Sequence, residues 1–513
     1  MAFVSPISAE RMMSEEERRF LAHDVYRAGI LPDAAVRPRN ADELQSVVRA
    51  ALENDYAIVV RGGGVSYTDG YLPTRERTLL IDTTEFNKIL EINERDMYVT
   101  VEPGITWATL HEKLGERGLK VPFVGTFSGL AASVGGTISQ NANGMGSNGG
   151  GIAPESVIGL RVLDGRGDWV QVGVSGAPEA RSNFRFFGSD MTGLFTGDCG
   201  VLGVKAAVTL KLVRRRPAFQ GASFSFQSFD ALHNCMAELA GERLDEKSFG
   251  LDMALSQGQI AKQDTSSTLA IAKNVLLSSS NLLVGLATLV RMGVAGKKFL
   301  SAAPYAVHYI VEAHTDGEAR EKVTTLRRIA LKHGQEIANS VPTVVRAMPF
   351  QPLHNMLGPK GERWVPLHGL IPHSRVPAFH KAFNDYITQM KPQMDAKGVH
   401  VGAMFSTIGT GTFLYEPAIY WKDSVPEFHG KMMEVDYFKA LPTYPENPEG
   451  ARLVETIRNH LVDLMHRHGA AHFQVGKLYP YQQGLDAGGA RLLKAIKAEL
   501  DPKGLLNPGA MGF

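Results

Sequence analysis

Cysteine is almost missing from this chain: Cys199 and Cys235 are the only two in 513 residues. That excludes a disulfide scaffold and a CxxC-type zinc site, and it fits a reducing compartment. Net charge is nearly missing too. Lys and Arg total 54 against 53 Asp and Glu, a formal charge of +1, so no field of one sign points to nucleic acid as a partner. The opening MAFVSPISAERMMSEEERRF lacks a basic start followed by an apolar run. The expectation is a cytoplasmic chain without a secretory leader. Internal repeats of fixed period are also lacking.

One stretch, Val275–Val290 (VLLSSSNLLVGLATLV), has no charge and is followed by Arg291, Lys297 and Lys298. It is short beside the roughly 20 residues that a membrane-spanning helix needs. Two readings stand: a buried helix, or a peripheral membrane contact or greasy substrate gate through residues 275–298, with its basic residues at headgroup level.

What the chain has in excess is glycine, 53 residues, concentrated between Gly62 and Gly203. The length predicts two or more domains. Ser14 with Glu17 reads as a capping box, and Asn40 with Glu43 repeats the signal ahead of an apolar helical face, Leu44, Val47, Val48 and Ala51. Ala57–Arg61, Thr78–Asp82, Met97–Gly104, Val157–Asp164 and Gly203–Val213 read as strands, and Thr106–Arg117 as a helix closed by Gly118. The texture changes at Arg214–Pro217. Beyond it a strand–helix–strand series runs through Ala303–Glu312, Glu318–Lys332, Trp364–Leu370, Val376–Met390, Val399–Ile408 and Pro417–Trp421. The expected division is 1–217, 218–450 and a C-terminal segment 451–513 that returns to the first domain.

Backbone N–H groups approach a pyrophosphate closely only where side chains are missing, so glycine is favoured there. Arg61–Ser66 (RGGGVS) offers three glycines and a hydroxyl directly after a strand. GxGxxG spacing is missing, and no helix opens at Val65–Pro73, which disfavours a Rossmann nicotinamide site. Gly125–Gly146 is a second passage rich in small donors. A single glycine loop is most often a tight turn; several in order between strands are harder to read that way.

Four segments in order resemble the FAD-binding domain of the vanillyl-alcohol oxidase/p-cresol methylhydroxylase superfamily: Arg61–Ser66, Val101–Gly104 (VEPG), Ser133–Gly144 (SVGGTISQNANG) and Asp190–Leu212. The tail Asp501–Gly509 (DPKGLLNPG) is similar to the lactate/glycolate oxidase branch. The resemblance implies an α+β fold in two parts, an FAD-binding domain of p-cresol-methylhydroxylase type plus an α+β cap built on an antiparallel sheet. It implies that Arg61, Gly62, Gly63, Gly64, Val65 and Ser66 wrap the FAD pyrophosphate. Gly125, Thr126, Ser133, Val134, Gly135 and Gly136 line flavin and diphosphate, and Gln140, Asn141 and Asn143 continue that wall. Gly203 and Val204 sit on the adenine–ribose side, and Asn507 close to the flavin.

Departures from the pattern matter. Many relatives carry a flavin-linking histidine where this chain has Val65, and Gly409–Asp423 has no histidine either, so the FAD is expected to be noncovalent. A HxxGDGNxH-like metal segment is missing, which disfavours a metal-assisted hydroxyacid dehydrogenase; no metal is expected.

Oxidation of a C–H bond by flavin leaves negative charge near N1 and C2=O, where a fixed cation helps, and a base must take the hydroxyl proton. Ala470–Tyr481 (AAHFQVGKLYPY) resembles segments of sugar-lactone, alditol and decaprenylphosphoryl-ribose oxidases. The resemblance puts Lys477 beside the flavin, with His472, Gln474 and Tyr479 around it. Tyr415 and Tyr420 are candidates to bind a phenolate or alcohol oxygen. The competing readings are a solvated lysine, a structural histidine and core aromatics. The expected activity is oxidation of the CH–OH group of a lipophilic or aromatic alcohol. Vanillyl-type oxidation, D-2-hydroxyacid oxidation and a non-catalytic membrane-associated flavin-fold protein are the alternatives. Expected partners are a small-molecule substrate, an electron acceptor (oxygen or a redox protein) and a second copy of the chain in a homo-oligomer.

Because Val65 has no nucleophilic nitrogen, acid precipitation of the purified protein is expected to release its whole flavin absorbance into the supernatant. Colour retained in the pellet would show a covalent link elsewhere.

Overall fold

The computed structural model describes residues 3–174, 183–255, 303–337 and 341–513. The apolar stretch Val275–Val290 lies outside them. The chain forms two compact units. The first comprises Met1–Gly144, Ile152–Arg214 and Phe473–Phe513; the second comprises Met145–Gly151 and Arg215–His472.

The first unit holds two main sheets. Three parallel strands run in the order Ala34–Val36, Thr78–Asp82, Ala57–Arg61, in register from Ala57↔Thr78 to Arg61↔Asp82. Parallel strands of this kind are buried on both faces, and Thr78–Asp82 (TLLID) is buried at every position. Helix Ala41–Glu53 covers the sheet with the face read from the sequence: Leu44, Val47, Val48 and Ala51 join Ile58, Leu79 and Ile81 in one core cluster. Asn40 caps the helix through Glu43 N, and Ser14 with Glu17 forms the capping box of helix Glu15–Leu21. The second sheet is antiparallel, in the order Ile89–Asn93, Tyr98–Val101, Val204–Lys211, Val157–Leu163, Trp169–Val172. The α+β class stands, with antiparallel sheets in both units.

The second unit is built on an eight-stranded sheet. Its order is Gln335–Glu336, Ala218–Phe226, Tyr305–Ala313, Lys247–Asp252, Val399–Ile408, Thr412–Trp421, Arg363–Pro366, and Gly369–Pro372 also pairs with Thr412–Trp421. Trp364–Leu370, read as one strand, is two short ones. The residues between them, Leu367 and His368, leave the ladder, although Leu367 N still donates to Pro417 O.

The divisions fall elsewhere than at 217/218 and 450/451. Helix Pro448–Arg467 packs on helix Val376–Lys397 and on the strands Val399–Ile408 and Thr412–Trp421, burying Val454, Ile457, Leu461 and Met465. An apolar stripe of that width holds the helix in the second unit, so the tail belongs to the first unit only from Phe473. There it completes the parallel sheet: Leu506 bridges Ile58 in parallel, Ile58 N donates to Leu505 O, and Asn507 N donates to Ile58 O.

Leu44 is fully buried at the centre of the first unit's core. Leu44→Ala is expected to cost about 2–5 kcal/mol of stability, measured by urea unfolding of the FAD-free protein. A loss below about 1 kcal/mol would mean that the helix does not anchor this unit.

Candidate functional site: a glycine-lined cleft

A cleft open to solvent lies within the first unit, and concave sites of this kind are where organic ligands bind. Strand Ala57–Arg61 leads straight into one wall, Gly62 to Ser66. Those glycines are forced by crowding. A Cβ on Gly63 would lie 1.7 Å from Ala131 O, one on Gly62 would lie 2.0 Å from Ser133 Oγ, and Gly64 takes φ +75°. Among the described residues no protein acceptor takes the N–H groups of Gly63, Gly64, Val65 and Ser66. Backbone donors are almost always paired, so this consecutive run is the observation that fits the cleft to a bound anion such as a pyrophosphate.

The opposite wall is the short helix Val134–Ser139. Ser133 caps it, its Oγ accepting from Gly136 N at 3.3 Å. Gly135 permits close packing, since a Cβ there would sit 2.5 Å from Pro103 Cβ. The returning tail supplies two lining residues. Gln474, at φ +52°, donates its N–H to Gln140 O at 2.6 Å. Asn507, at φ +42° and buried, donates through Nδ2 to Gly70 O at 2.7 Å and Cys199 O at 2.5 Å, while its Oδ1 accepts from Lys477 Nζ at 2.7 Å.

Asp501 explains the rest of the tail motif. Its carboxylate accepts from Leu505 N, Leu506 N and Lys497 Nζ, folding the DPKGLLNPG turn that delivers Asn507.

Behind the glycine wall is a buried acidic brace. Asp24 accepts from Tyr26 N and Arg27 N through one oxygen and from Asp69 N through the other, at 2.8–3.0 Å. Burial, and then the Asp69 charge beside it, push its carboxyl up to about 7. Arg27 pairs with Asp69 at 2.6 Å, and the Tyr71 hydroxyl lies 3.0 Å from Gly64 O.

Of the cofactor residues expected from the sequence, Gly62, Gly63, Gly64, Val65, Ser66, Thr126, Ser133, Gly135, Gly136, Gln140, Gly203, Val204, Gln474 and Asn507 all line this one cleft. Five others do not line it. Arg61 is buried beneath the loop, its guanidinium over the rings of Phe20 and Tyr71 and against Gly64. Val134 is wholly buried core. Gly125 backs onto Gly144, the Asn141 amide backs onto Gly197, and Asn143 does not line the cleft. These residues shape the walls. Sequence reading missed Thr83, Ser128, Thr137, Ser139, Cys199, Gly200 and Lys205, which also line the cleft. Cys199 and Lys205 lay inside the quoted Asp190–Leu212 match, but their residue types suggest no phosphate chemistry.

The candidate catalytic residues are divided between the units, Lys477 and Tyr479 in the first and His472 and Tyr415 in the second. Lys477 is partly exposed and does not line the cleft; it reaches Asn507 Oδ1 and, at 3.4 Å, Asp69 O. Burial pulls its ammonium down to about 8. Tyr479 is buried. His472 belongs to the second unit, where its Nδ1 lies 2.6 Å from His368 O and burial pulls its imidazole down to about 4. Tyr415 is a core aromatic: it is 1% exposed, packs among Phe379, Phe383 and Phe405, and its hydroxyl lies 2.9 Å from His380 Nδ1. Tyr420 stacks on His400 at 4.8 Å. Of the two phenolate candidates, Tyr415 is thus buried among aromatic rings and Tyr420 is half-buried. Among the described residues no group of three or more His, Cys, Asp or Glu is placed to hold a metal, and no helix is long and apolar enough to cross a membrane.

Residues 32–173 match the family model described as an FAD binding domain. The chain carries an FAD-binding domain. Its cofactor is FAD, and the resemblance read from Arg61–Ser66 and Ser133–Gly144 holds. The glycolate oxidase subunit GlcD of Bacillus subtilis (strain 168) is 29% identical over 214 residues, 42% of this chain and 44% of that one, so the match spans under half of that relative's length. The D-2-hydroxyglutarate dehydrogenase of Stutzerimonas stutzeri (strain A1501) is 23% identical over 489 residues, 93% of this chain and 90% of that one. The solved structure of p-cresol methylhydroxylase with substrate bound shares the fold, at TM-score 0.71 and 17% identity over 98% of this chain and 94% of that one.

Gly63→Asp is expected to abolish FAD binding, since the new side chain collides with Ala131 O and sets a carboxylate against a phosphate. Full flavin occupancy in that variant, read from absorbance at constant protein concentration, would remove Gly62–Ser66 from the phosphate site.

Proposed function

We propose that this protein is an FAD-dependent oxidoreductase that oxidises the CH–OH group of a small organic substrate and binds its FAD noncovalently. The reading rests above all on the run of free N–H groups at Gly63–Ser66 inside a cleft lined by the family's motif residues. Bound FAD supplies a two-electron acceptor for the hydride of a C–H bond. The protein's share is placement. Gly62–Ser66 and the Ser133-capped helix hold the dinucleotide, and Gln474 and Asn507 close the cleft from the tail. Lys477 acts through Asn507: its ammonium fixes the amide oxygen, so the amide nitrogen is committed to Gly70 O and Cys199 O. Lys477 is thus a positioning residue rather than a group that touches substrate.

For the substrate, a 2-hydroxy acid is the reading the comparisons favour. A relative that aligns along nearly the whole of both chains is named for D-2-hydroxyglutarate, and another, matched over less than half its length, is named for glycolate. The lipophilic-alcohol reading rested on Val275–Val290, outside the described residues.

Anaerobic mixing of the FAD-loaded protein with glycolate, D-lactate or D-2-hydroxyglutarate is expected to bleach the flavin band. Bleaching by hydrophobic alcohols alone would restore the lipophilic reading, and no bleaching by any carbinol would leave the non-catalytic one in front. Lys477→Ala is expected to keep FAD yet slow that reduction by more than about tenfold, as loss of placement does. An unchanged rate would return Lys477 to the solvated class.

A further inference from the structure

Among the residues lining the cleft, Lys205 alone carries a formal charge. It sits on strand Val204–Lys211 and is buried. Its Nζ lies 2.5 Å from Asp198 Oδ1, and the two side chains are 4% and 1% exposed. Asp198 does not line the cleft; it lies at the start of the turn that does. That turn, Gly197 to Gly203, is held in a shape the backbone resists. Gly197, Cys199 and Gly200 all have left-handed φ, at +66°, +51° and +76°, and a side chain in that region persists only where the surroundings over-determine it.

The determinants are on all sides. Asp198 Oδ1 also accepts from Gly200 N at 3.2 Å, folding the turn over the carboxylate. Cys199 N donates to Ser139 O, Gly476 N lies 3.3 Å from Cys199 Sγ, and Asn507 Nδ2 holds Cys199 O. A second lysine, Lys497, reaches Val201 O at 2.7 Å from the tail helix. What the turn delivers is the part of the cleft wall made by Cys199, Gly200 and Gly203.

A buried ion pair is a poor way to gain stability. Desolvation offsets its attraction, and a well-packed apolar pair is often as stable or more so. What an apolar pair lacks is direction: it cannot aim a carboxylate at both an ammonium and a backbone N–H. We propose that the Asp198–Lys205 pair is a positioning device for the cofactor, locking the Gly197–Gly203 turn into the left-handed form that makes one wall of the FAD cleft. FAD affinity, rather than folding stability, then depends on it.

The test is the double variant Asp198→Leu/Lys205→Met, with FAD affinity from fluorescence titration of the apoprotein and stability from its melting temperature without FAD. The expected result is melting at or above the wild-type temperature with FAD bound at least about tenfold more weakly, because the supporting shell is apolar but no longer directional. Lys205→Arg, which keeps the charge, is expected to recover most of the affinity relative to Lys205→Met. A folded double variant that binds FAD as tightly as wild type would overturn the proposal. So would one that fails to fold, since the pair would then be an element of stability. Failure of the wild-type apoprotein to take up FAD would count against the FAD reading itself and not against the pair.

Discussion

The first unit turns on one side-chain amide. Asn507 donates to Gly70 O and Cys199 O and accepts from Lys477, while its backbone N–H continues the parallel sheet at Ile58. Three separate stretches of chain, the loop after Gly62–Ser66, the turn Gly197–Gly203 and the tail from Phe473, meet at that group. Each polar atom of the amide has a partner, and a buried network of this kind specifies a geometry only when it is fully satisfied. The cleft's shape follows from it: the glycine loop cannot shift without breaking the bond to Gly70 O, nor the turn without breaking that to Cys199 O.

The glycines have a complementary task. At Gly62, Gly63 and Gly135 the space that a Cβ would fill is taken by protein atoms rather than left for a ligand. The walls are thus pressed together, and the backbone N–H groups are what they present to the cleft. The loop is held from the protein side by Val25 N and the Tyr71 hydroxyl, which donate to Ser66 O and Gly64 O, and the Arg61 guanidinium lies against Gly64.

Much of the cofactor site was legible in the sequence because its signals are local. A strand running into RGGGVS, a serine before VGGTIS and an asparagine after a DPKG turn each report a backbone conformation that needs those residue types, and the structure brings them to one cleft. What was not legible is long-range. Nothing about Lys205 alone predicts burial against Asp198, and nothing about Tyr415 distinguishes a substrate-binding phenol from a ring packed among Phe379, Phe383 and Phe405; alternation on strand Thr412–Trp421 is the same either way. The extent of the tail is not legible for a similar reason. Helix Pro448–Arg467 has an ordinary amphipathic pattern, and a pattern says that a face is buried without saying against which unit. Arg61, Val134 and Asn141 match family positions but do not line the cleft.

The parallel sheet of the first unit has a consequence for the order of events during synthesis. Strand Ala57–Arg61 receives the Leu505–Asn507 segment only after all of the second unit has been made, because Phe473–Phe513 follows it in the chain. A nascent first unit therefore waits with the Ile58 N–H and C=O unpaired and with the Gly70 and Cys199 carbonyls lacking their amide donor. An unpaired strand edge of that kind is where chains aggregate. The tail is then the stitch that converts an open, vulnerable edge into the floor of a finished cofactor site, and a ribosome stalled before Phe473 would leave a polypeptide with every phosphate-binding glycine in place and no closed cleft to hold the dinucleotide.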